Sequence, residues 1–267
     1  MTATYAVSGV ASGIGAELAK LLIQDGHRVI GFDLRAPTYA LDKFIAIDLN
    51  DPEAIDDATA KAPCGLDGLC NIAGLPPRPG LETNILQVNF LGQRRFTNSI
   101  LDRLKPGASV VNMASRAGAA WRDNLDQVMR LAAIIDRSDL GRFVTSEDID
   151  ATRCYNLSKE AMIVWTMAMT EELIGREMRM NALSPGAVAT GILDDFAKAF
   201  GDKMGSNVAR AGRPAHPEEV AKIARFLLSP DSAWLKGIDI PIDGGMGAFN
   251  QSDMLGLERV KTTISAG

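Results

Sequence analysis

The chain is poor in the residues that carry several common chemistries. Its 267 residues hold three cysteines, Cys64, Cys70 and Cys154, with no CxxC pair and no regular spacing. Neither a disulfide framework nor a zinc site is expected from them, and Cys154 reads as an inert buried thiol. Only two histidines, His27 and His216, are present, and neither sits at ligand spacing. No metal site is expected, and a Ser-His-Asp hydrolase has little material to draw on. No uninterrupted apolar run approaches the roughly 20 residues that cross a bilayer. Met1–Ser8 carries no signal-peptide pattern, so the expected setting is cytoplasmic, with reduced thiols and no membrane partner. A net charge of −5 and a pI near 5.2 offer no positive field for nucleic acid or anionic lipid. A small molecule is the partner that remains.

What the chain does have is 46% hydrophobic and 23% charged residues, proportions that suit a globular protein with a sizeable core. No repeat, low-complexity tract or Pro/Gly/Ser linker divides it, so residues 1–267 read as one domain. Short β-rich runs alternate with longer helical stretches, as βαβ units around a parallel sheet require. Strands are expected at Thr4–Ser8, Arg28–Asp33, Phe44–Asp48, Leu66–Ile72, Ser109–Ala114, Met178–Leu183 and Ile238–Ile242. Their near-continuous apolar character fits strands covered by helices on both faces. The fold class is α/β, a single Rossmann-type doubly wound parallel sheet of about seven strands. Ala16–Asp25 reads as the first crossover helix. Ala16, Leu18, Ala19, Leu22 and Ile23 form its buried stripe, and Gly26 is its left-handed end.

A glycine-bearing loop, with Ser8, Gly9, Ser12, Gly13, Ile14 and Gly15, joins the first strand to this helix. Glycines there allow a tight turn and let a pyrophosphate reach the helix N-terminus, where free N–H groups and the dipole favour negative charge. The GxxxGxG spacing alone is shared with ordinary turns; its position after an N-terminal strand is what points to a nucleotide. Asp33 closes the second strand. A carboxylate there accepts hydrogen bonds from ribose hydroxyls and repels a 2′-phosphate. Arg35, two residues on, is suited to gripping a phosphate, but the glycine loop holds no basic residue, so NAD is preferred to NADP.

Tyr155-Asn-Leu-Ser-Lys159 opens a helix whose later residues are apolar. Residues four apart share a helical face, so Lys159 can set positive charge beside the Tyr155 phenol. A nearby cation stabilises phenolate, and the expectation is a tyrosine drawn below its usual pKa of about 10 and usable as an acid or base. Ser115 ends the fifth expected strand, at the carboxyl edge where open α/β sheets hold ligands, with a hydroxyl suited to a substrate oxygen.

With these motifs in order, the chain resembles the short-chain dehydrogenase/reductase family over nearly its whole length. The matching stretches are Ser8–Gly15, Asp48-Leu49, Asn71-Ile72-Ala73-Gly74, Asn89, Ser115, Tyr155 with Lys159, Pro185-Gly186 with Thr190, and Ile242-Asp-Gly-Gly245. Ile72 replaces the second Asn usual in its motif. The resemblance implies an NAD-dependent alcohol dehydrogenase/carbonyl reductase with Asn89, Ser115, Tyr155 and Lys159 as catalytic residues. It also implies that Asp48 and Leu49 meet the adenine and that Asn71, Ala73 and Gly74 lie under the adenosine half. Pro185, Gly186, Val188 and Thr190 would line the nicotinamide, and Asn89 would hold a water linking Lys159 to solvent. Hydride passes directly between nicotinamide and a carbinol carbon in such enzymes, and Tyr155 exchanges the hydroxyl proton.

Thirty-nine residues separate Ser115 from Tyr155, more than is usual in the family, so 118–153 reads as an inserted helical segment. Leu125, Val128, Leu131, Ala132 and Ile135 recur at helical spacing, and Ser146–Ile149 reads as a further helical start. The long gap resembles the branch with bacterial 3α-hydroxysteroid dehydrogenase/carbonyl reductases and coniferyl alcohol dehydrogenases. The implied substrate is a hydrophobic cyclic or aromatic alcohol. Trp121, Phe196 and Phe200 are candidate substrate walls, with Ile192–Phe200 a helix able to close as a lid and the C-terminal tail a further source of contacts. The Met-rich helix Ala161–Met169 resembles the surface that pairs subunits in the family, which implies a homodimer or homotetramer whose pairing the insertion would alter. Two other readings stand beside this one: a same-fold reductase of acyl thioesters or C=C bonds, and a non-catalytic NAD(H)-binding sensor.

Overall fold

The apolar runs form seven parallel strands in a computed structural model that describes residues 2–260. They are β1 (Thr4–Ser8), β2 (Arg28–Asp33), β3 (Lys43–Ala46), β4 (Leu66–Asn71), β5 (Leu104–Met113), β6 (Arg179–Pro185) and β7 (Asp239–Ile242). Their order is β3-β2-β1-β4-β5-β6-β7. The chain therefore runs outward from β1 in one direction and returns to β4 on its other side. Ligands of open α/β sheets bind above the strand ends at such a reversal.

The helices are α1 (Gly13–Gln24), α2 (Pro52–Ala60), α3 (Glu82–Leu86), α4 (Gln93–Ile100), α5 (Leu125–Ala132), α6 (Leu140–Glu147), α7 (Ala151–Ala168), α8 (Thr170–Gly175), α9 (Leu193–Ala211), α10 (Pro217–Leu228) and α11 (Met246–Leu255). Alternation along a strand sends neighbouring side chains to opposite faces. Tyr5 and Val7 pack with Leu18 and Leu22 of α1 and with Val220 and Leu227 of α10. Ala6 points the other way, into a cluster with Ile55 of α2 and Phe96 and Ile100 of α4.

Several expected boundaries move. β3 stops at Ala46, because the Asp48 carboxylate accepts from Asn50 N at 2.8 Å and turns the chain out of the sheet. β5 begins five residues before Ser109, and its register against β4 slips between Leu104 and Ser109, where Gly107 has φ 87°. α1 starts at Gly13, so the glycine loop feeds straight into the helix. Gly26 has the expected positive φ of 80°, whereas Ile23 of the expected buried stripe is exposed.

Between residues 118 and 153 the chain folds as α5 and α6. Val128 and Leu131 are buried, but Leu125 is exposed and Ile135 lies beyond the helix, almost fully exposed. Ser146–Ile149 is a helix end, not a start: α6 closes on the left-handed Asp148. Asp150 then caps α7 by accepting from Arg153 N at 2.7 Å, which places Tyr155 in the second turn of the helix. Val128, Leu131, Leu140 and Phe143 share one core cluster with Ala161, Met162 and Ile163 of α7. Much of the face expected to pair subunits is thus covered within the chain. Among the described residues no helix is long and apolar enough to cross a membrane.

Candidate active site

A cavity of about 1300 Å³ opens over the carboxyl ends of the strands. One wall is the glycine loop, from which Gly9, Ser12, Gly13 and Ile14 face the cavity. Gly9 has φ +79°, and a Cβ there would stand 2.9 Å from Ala73 N. A Cβ on Gly15 would stand 2.1 Å from Gly9 O, so this residue serves by close backbone approach and does not itself line the cavity. Ser12 caps α1 without a side-chain hydrogen bond. The first-turn N–H groups therefore remain for an anion. At the end of β2, Asp33 Oδ2 accepts from Ala11 N at 2.9 Å and Oδ1 from Arg35 N at 3.2 Å. Two backbone amides aim this carboxylate at the cavity, which Arg35 also lines. Asp48, Leu49, Ala73 and Gly74 extend that end, and Pro185, Gly186, Val188 and Thr190 line the other. The cradle, with its close-packed glycines, open helix N-terminus and strand-end carboxylate, fits a dinucleotide.

Asn71 sits elsewhere than its motif implied. It is buried inside the sheet, where its Nδ2 donates to Thr97 Oγ1 at 2.7 Å and to Asn112 Oδ1 at 2.8 Å. It ties β4 to β5 and α4 and does not line the cavity.

Between the two ends lie Ser115, just beyond β5, and one turn of α7 carrying Tyr155 and Lys159. The Tyr155 phenol and the Ser115 hydroxyl both line the cavity, and Ser115 favours the ionised form of the phenol. Lys159 Nζ donates to Met113 O at 2.8 Å and stands 5.7 Å from the centre of the Tyr155 ring. Tyr155 is 6% exposed and Lys159 5%. Burial decides the protonation of both. It pushes the phenol up to about 12, with the Ser115 hydroxyl acting against it, and pushes Lys159 down to about 8. The expectation that Lys159 draws the tyrosine below its usual value is therefore not met in this cavity: burial raises the phenol, and Lys159 is not among the groups that shift it.

Asn89 lies in a wide, π-helical stretch at Gln87–Gly92, between α3 and α4. Such bulges redirect side chains. Its amide accepts from Leu75 N at 2.7 Å and donates to Leu75 O at 3.0 Å. It does not line the cavity itself. Gly74 runs between it and Lys159, and a Cβ there would stand 3.1 Å from Asn89 Oδ1 and 3.8 Å from Lys159 Nζ.

Phe196 and Phe200 of α9 do reach the site. Their ring centres lie 5.2 and 6.4 Å from that of Tyr155, edge to face, and they stack on each other at 6.4 Å. Trp121 does not line the cavity. It packs on the cluster shared by α5, α6 and α7, with the Arg122 guanidinium 4.2 Å over its ring. α9 breaks at Gly201, whose φ of 52° and ψ of −140° are non-helical. The expected lid helix therefore ends where predicted, at Phe200, and a second helical stretch follows.

The fold adds residues that the sequence reading passed over. Arg116, next to Ser115, pairs with Asp243 at 3.0 Å, and Asp243 in turn accepts from Gly245 N and Gly247 N at the start of α11. Arg78, after β4, pairs with Asp195 of α9 at 2.7 Å. α11 brings Met246 and Asn250 to the cavity. Residues beyond 260, the expected tail contacts, lie outside the described residues. Adjacency to Ser115 was the available signal for Arg116; nothing local marks the other pairings.

A family described as enoyl-(acyl carrier protein) reductase has a model that matches residues 9–247. Coniferyl-alcohol dehydrogenase of a Pseudomonas species is 39% identical over 246 residues, covering 91% of this chain and 95% of that protein. The 3-alpha-hydroxysteroid dehydrogenase/carbonyl reductase of Comamonas testosteroni is 31% identical over 254 residues, covering 91% and 95%. Among solved structures, 3-alpha-hydroxysteroid dehydrogenase from Pseudomonas sp. B-0831 complexed with NADH superposes with a TM-score of 0.78 at 28% identity. That match covers 94% of this chain and 99% of the other.

Proposed function

The chain belongs to the short-chain dehydrogenase/reductase family of nicotinamide-dependent oxidoreductases, and on that premise we propose that it interconverts an alcohol and a ketone or aldehyde with NAD. The observation that carries the proposal is that Ser115, Tyr155 and Lys159 line one cavity wall together, with Lys159 one helical turn from the tyrosine. In this reading Ser115 holds the carbinol or carbonyl oxygen and Tyr155 exchanges its proton. The cofactor, when bound, supplies or takes the hydride. Gly9, Ser12, Gly13 and Ile14 would hold its pyrophosphate, Asp33 its adenosine ribose, and Val188 and Thr190 its nicotinamide. Asp33 supports NAD over NADP, because its carboxylate faces the position a 2′-phosphate would take.

The rings of Phe196 and Phe200 beside Tyr155 favour a hydrophobic cyclic or aromatic alcohol. The names of the two relatives, a coniferyl-alcohol dehydrogenase and a 3-alpha-hydroxysteroid dehydrogenase/carbonyl reductase, agree with that class. The description of the matching family favours a second reading, reduction of an acyl thioester or a C=C bond. A non-catalytic sensor has no need of Ser115, Tyr155 and Lys159 together. The deciding experiment is a cofactor-linked absorbance screen with hydroxysteroids, cinnamyl-type alcohols and simple cyclic alcohols, run with NAD⁺ and repeated with NADP⁺. Turnover of at least one alcohol class, faster with NAD⁺, is expected. Turnover of acyl thioesters alone would move the chain to the second reading.

A further inference from the structure

Three side-chain amides leave the stretch of helix around Gln87–Gly92, and each ends on backbone in the cavity wall. Gln87 Nε2 donates to Leu49 O at 3.1 Å, Asn89 bonds both backbone groups of Leu75, and Gln93 Nε2 donates to Ala73 O at 2.6 Å. Leu49, Ala73 and Leu75 line the cavity, whereas the two glutamines do not. Each glutamine is 2% exposed, and in each the amide oxygen is buried without a hydrogen-bond partner. An apolar side chain of the same length would avoid that desolvation cost, so packing alone gives no reason for glutamine.

Ala73 is also held from its other end. Ser8 Oγ accepts from Ile72 N at 3.0 Å and from Ala73 N at 3.2 Å, directly against Gly9. The wide helical turn brings Gly92 equally close to the second anchor: a Cβ there would stand 2.3 Å from Leu49 O. Residues 72–75 are therefore fastened at Ile72 N, at both backbone groups of Ala73 and at both of Leu75.

We infer that Gln93 is a positioning residue for the cofactor, with Gln87 as its counterpart on Leu49. It touches neither cofactor nor substrate and acts through Ala73, keeping the wall beside the glycine loop in its binding shape before the cofactor arrives. Ordering that is already present in the free protein does not have to be supplied on binding. The inference rests on the nicotinamide reading of the cavity.

The test replaces Gln93 by Met, which keeps the length and removes the donor. Gln93→Leu and Gln87→Met serve as second variants should the first fail to fold. Three quantities are read: NADH affinity by fluorescence titration, backbone hydrogen exchange in the ligand-free chain, and the KM for cofactor against kcat. For Gln93→Met the Kd for NADH is expected to rise about tenfold, ~1.4 kcal/mol, the upper range for one neutral hydrogen bond. Exchange at Gly74 and Leu75 should quicken while the α4 amides keep their rates. KM for cofactor should rise with kcat at saturation within about twofold. A Kd within about twofold of wild type, or a weaker Kd without faster exchange at Gly74 and Leu75, overturns the inference. A wild-type chain that binds no NADH overturns the reading of the cavity instead, and the ligand-free exchange rates still decide whether Gln93 holds the loop.

Discussion

Burial acts in opposite directions on the two titrating groups of the site, raising Tyr155 to about 12 and lowering Lys159 to about 8. Both shifts disfavour a charge out of water. Between about pH 8 and 10 the unfolded chain keeps a proton on Lys159 that the folded chain has released. Folded stability contributed by this group therefore rises with pH in that window. Above about pH 10 Tyr155 reverses the sign, since the folded chain then keeps a phenol proton that the unfolded chain loses. Lys159→Met should lack the rise between pH 8 and 10, read as the difference in thermal midpoint between wild type and variant. A difference that stays flat across the window would contradict the burial argument. At this scale the sequence carried the placement of Ser115, Tyr155 and Lys159 in one cavity. Tyr155 and Lys159 share a helical face by spacing alone, and Ser115 lies at a strand end by pattern. What spacing does not carry is desolvation, and the expected sign of the Tyr155 shift failed for that reason. Asn71 and Trp121 failed differently: a motif or a residue type suggested a site, and a buried network or a neighbouring core cluster claimed the side chain.

α7 is bound to the segment before it by a polar chain as well as by its apolar face. Arg153 donates to both oxygens of Glu160 at 2.9 and 2.7 Å, and Glu160 Oε1 also accepts from Asn124 Nδ2 at 2.8 Å. Arg153 Nε donates to Gln127, which donates to Glu147, which Arg130 of α5 holds with two bonds. Glu160 is 1% exposed at its side chain while Arg153 keeps some solvent. Removing one charge of a buried pair is costly, so Glu160→Gln should destabilise by about 3 kcal/mol in urea unfolding, the low end for such a loss. A loss below about 0.5 kcal/mol would show that the network is incidental. Little of this was legible beforehand. Arg153 and Glu160 stand two helical turns apart, and their relevance depends on α5 and α6 arriving from residues read only as an amphipathic insertion. α9 was legible as far as Phe200, where helical spacing put both phenylalanines on one face. Gly201 marked the break after it only once its backbone angles were seen.

For the molecule as a whole, seven apolar runs, one glycine loop and one YxxxK spacing were enough to place the sheet and its cavity. The strand order itself came only with the structure, since crossover handedness restricts the order of parallel strands without fixing it. The edges moved where an irregular stretch extended a strand, as at Gly107 of β5, or where a side chain turned the backbone out, as at Asp48. The inter-element pairs Arg78–Asp195 and Arg116–Asp243 were out of reach, because nothing local marks partners so far apart in the chain. The central claim is that this cavity moves a hydroxyl proton through Tyr155 while a nicotinamide cofactor is held beside it. The most direct measurement is Tyr155→Phe, assayed with NAD⁺ and the best alcohol of the screen, with NADH affinity measured on the same protein. Turnover below about a tenth of wild type, with a Kd for NADH within about twofold, is expected from loss of the proton-transfer group. Turnover above that tenth would contradict the assignment of Tyr155.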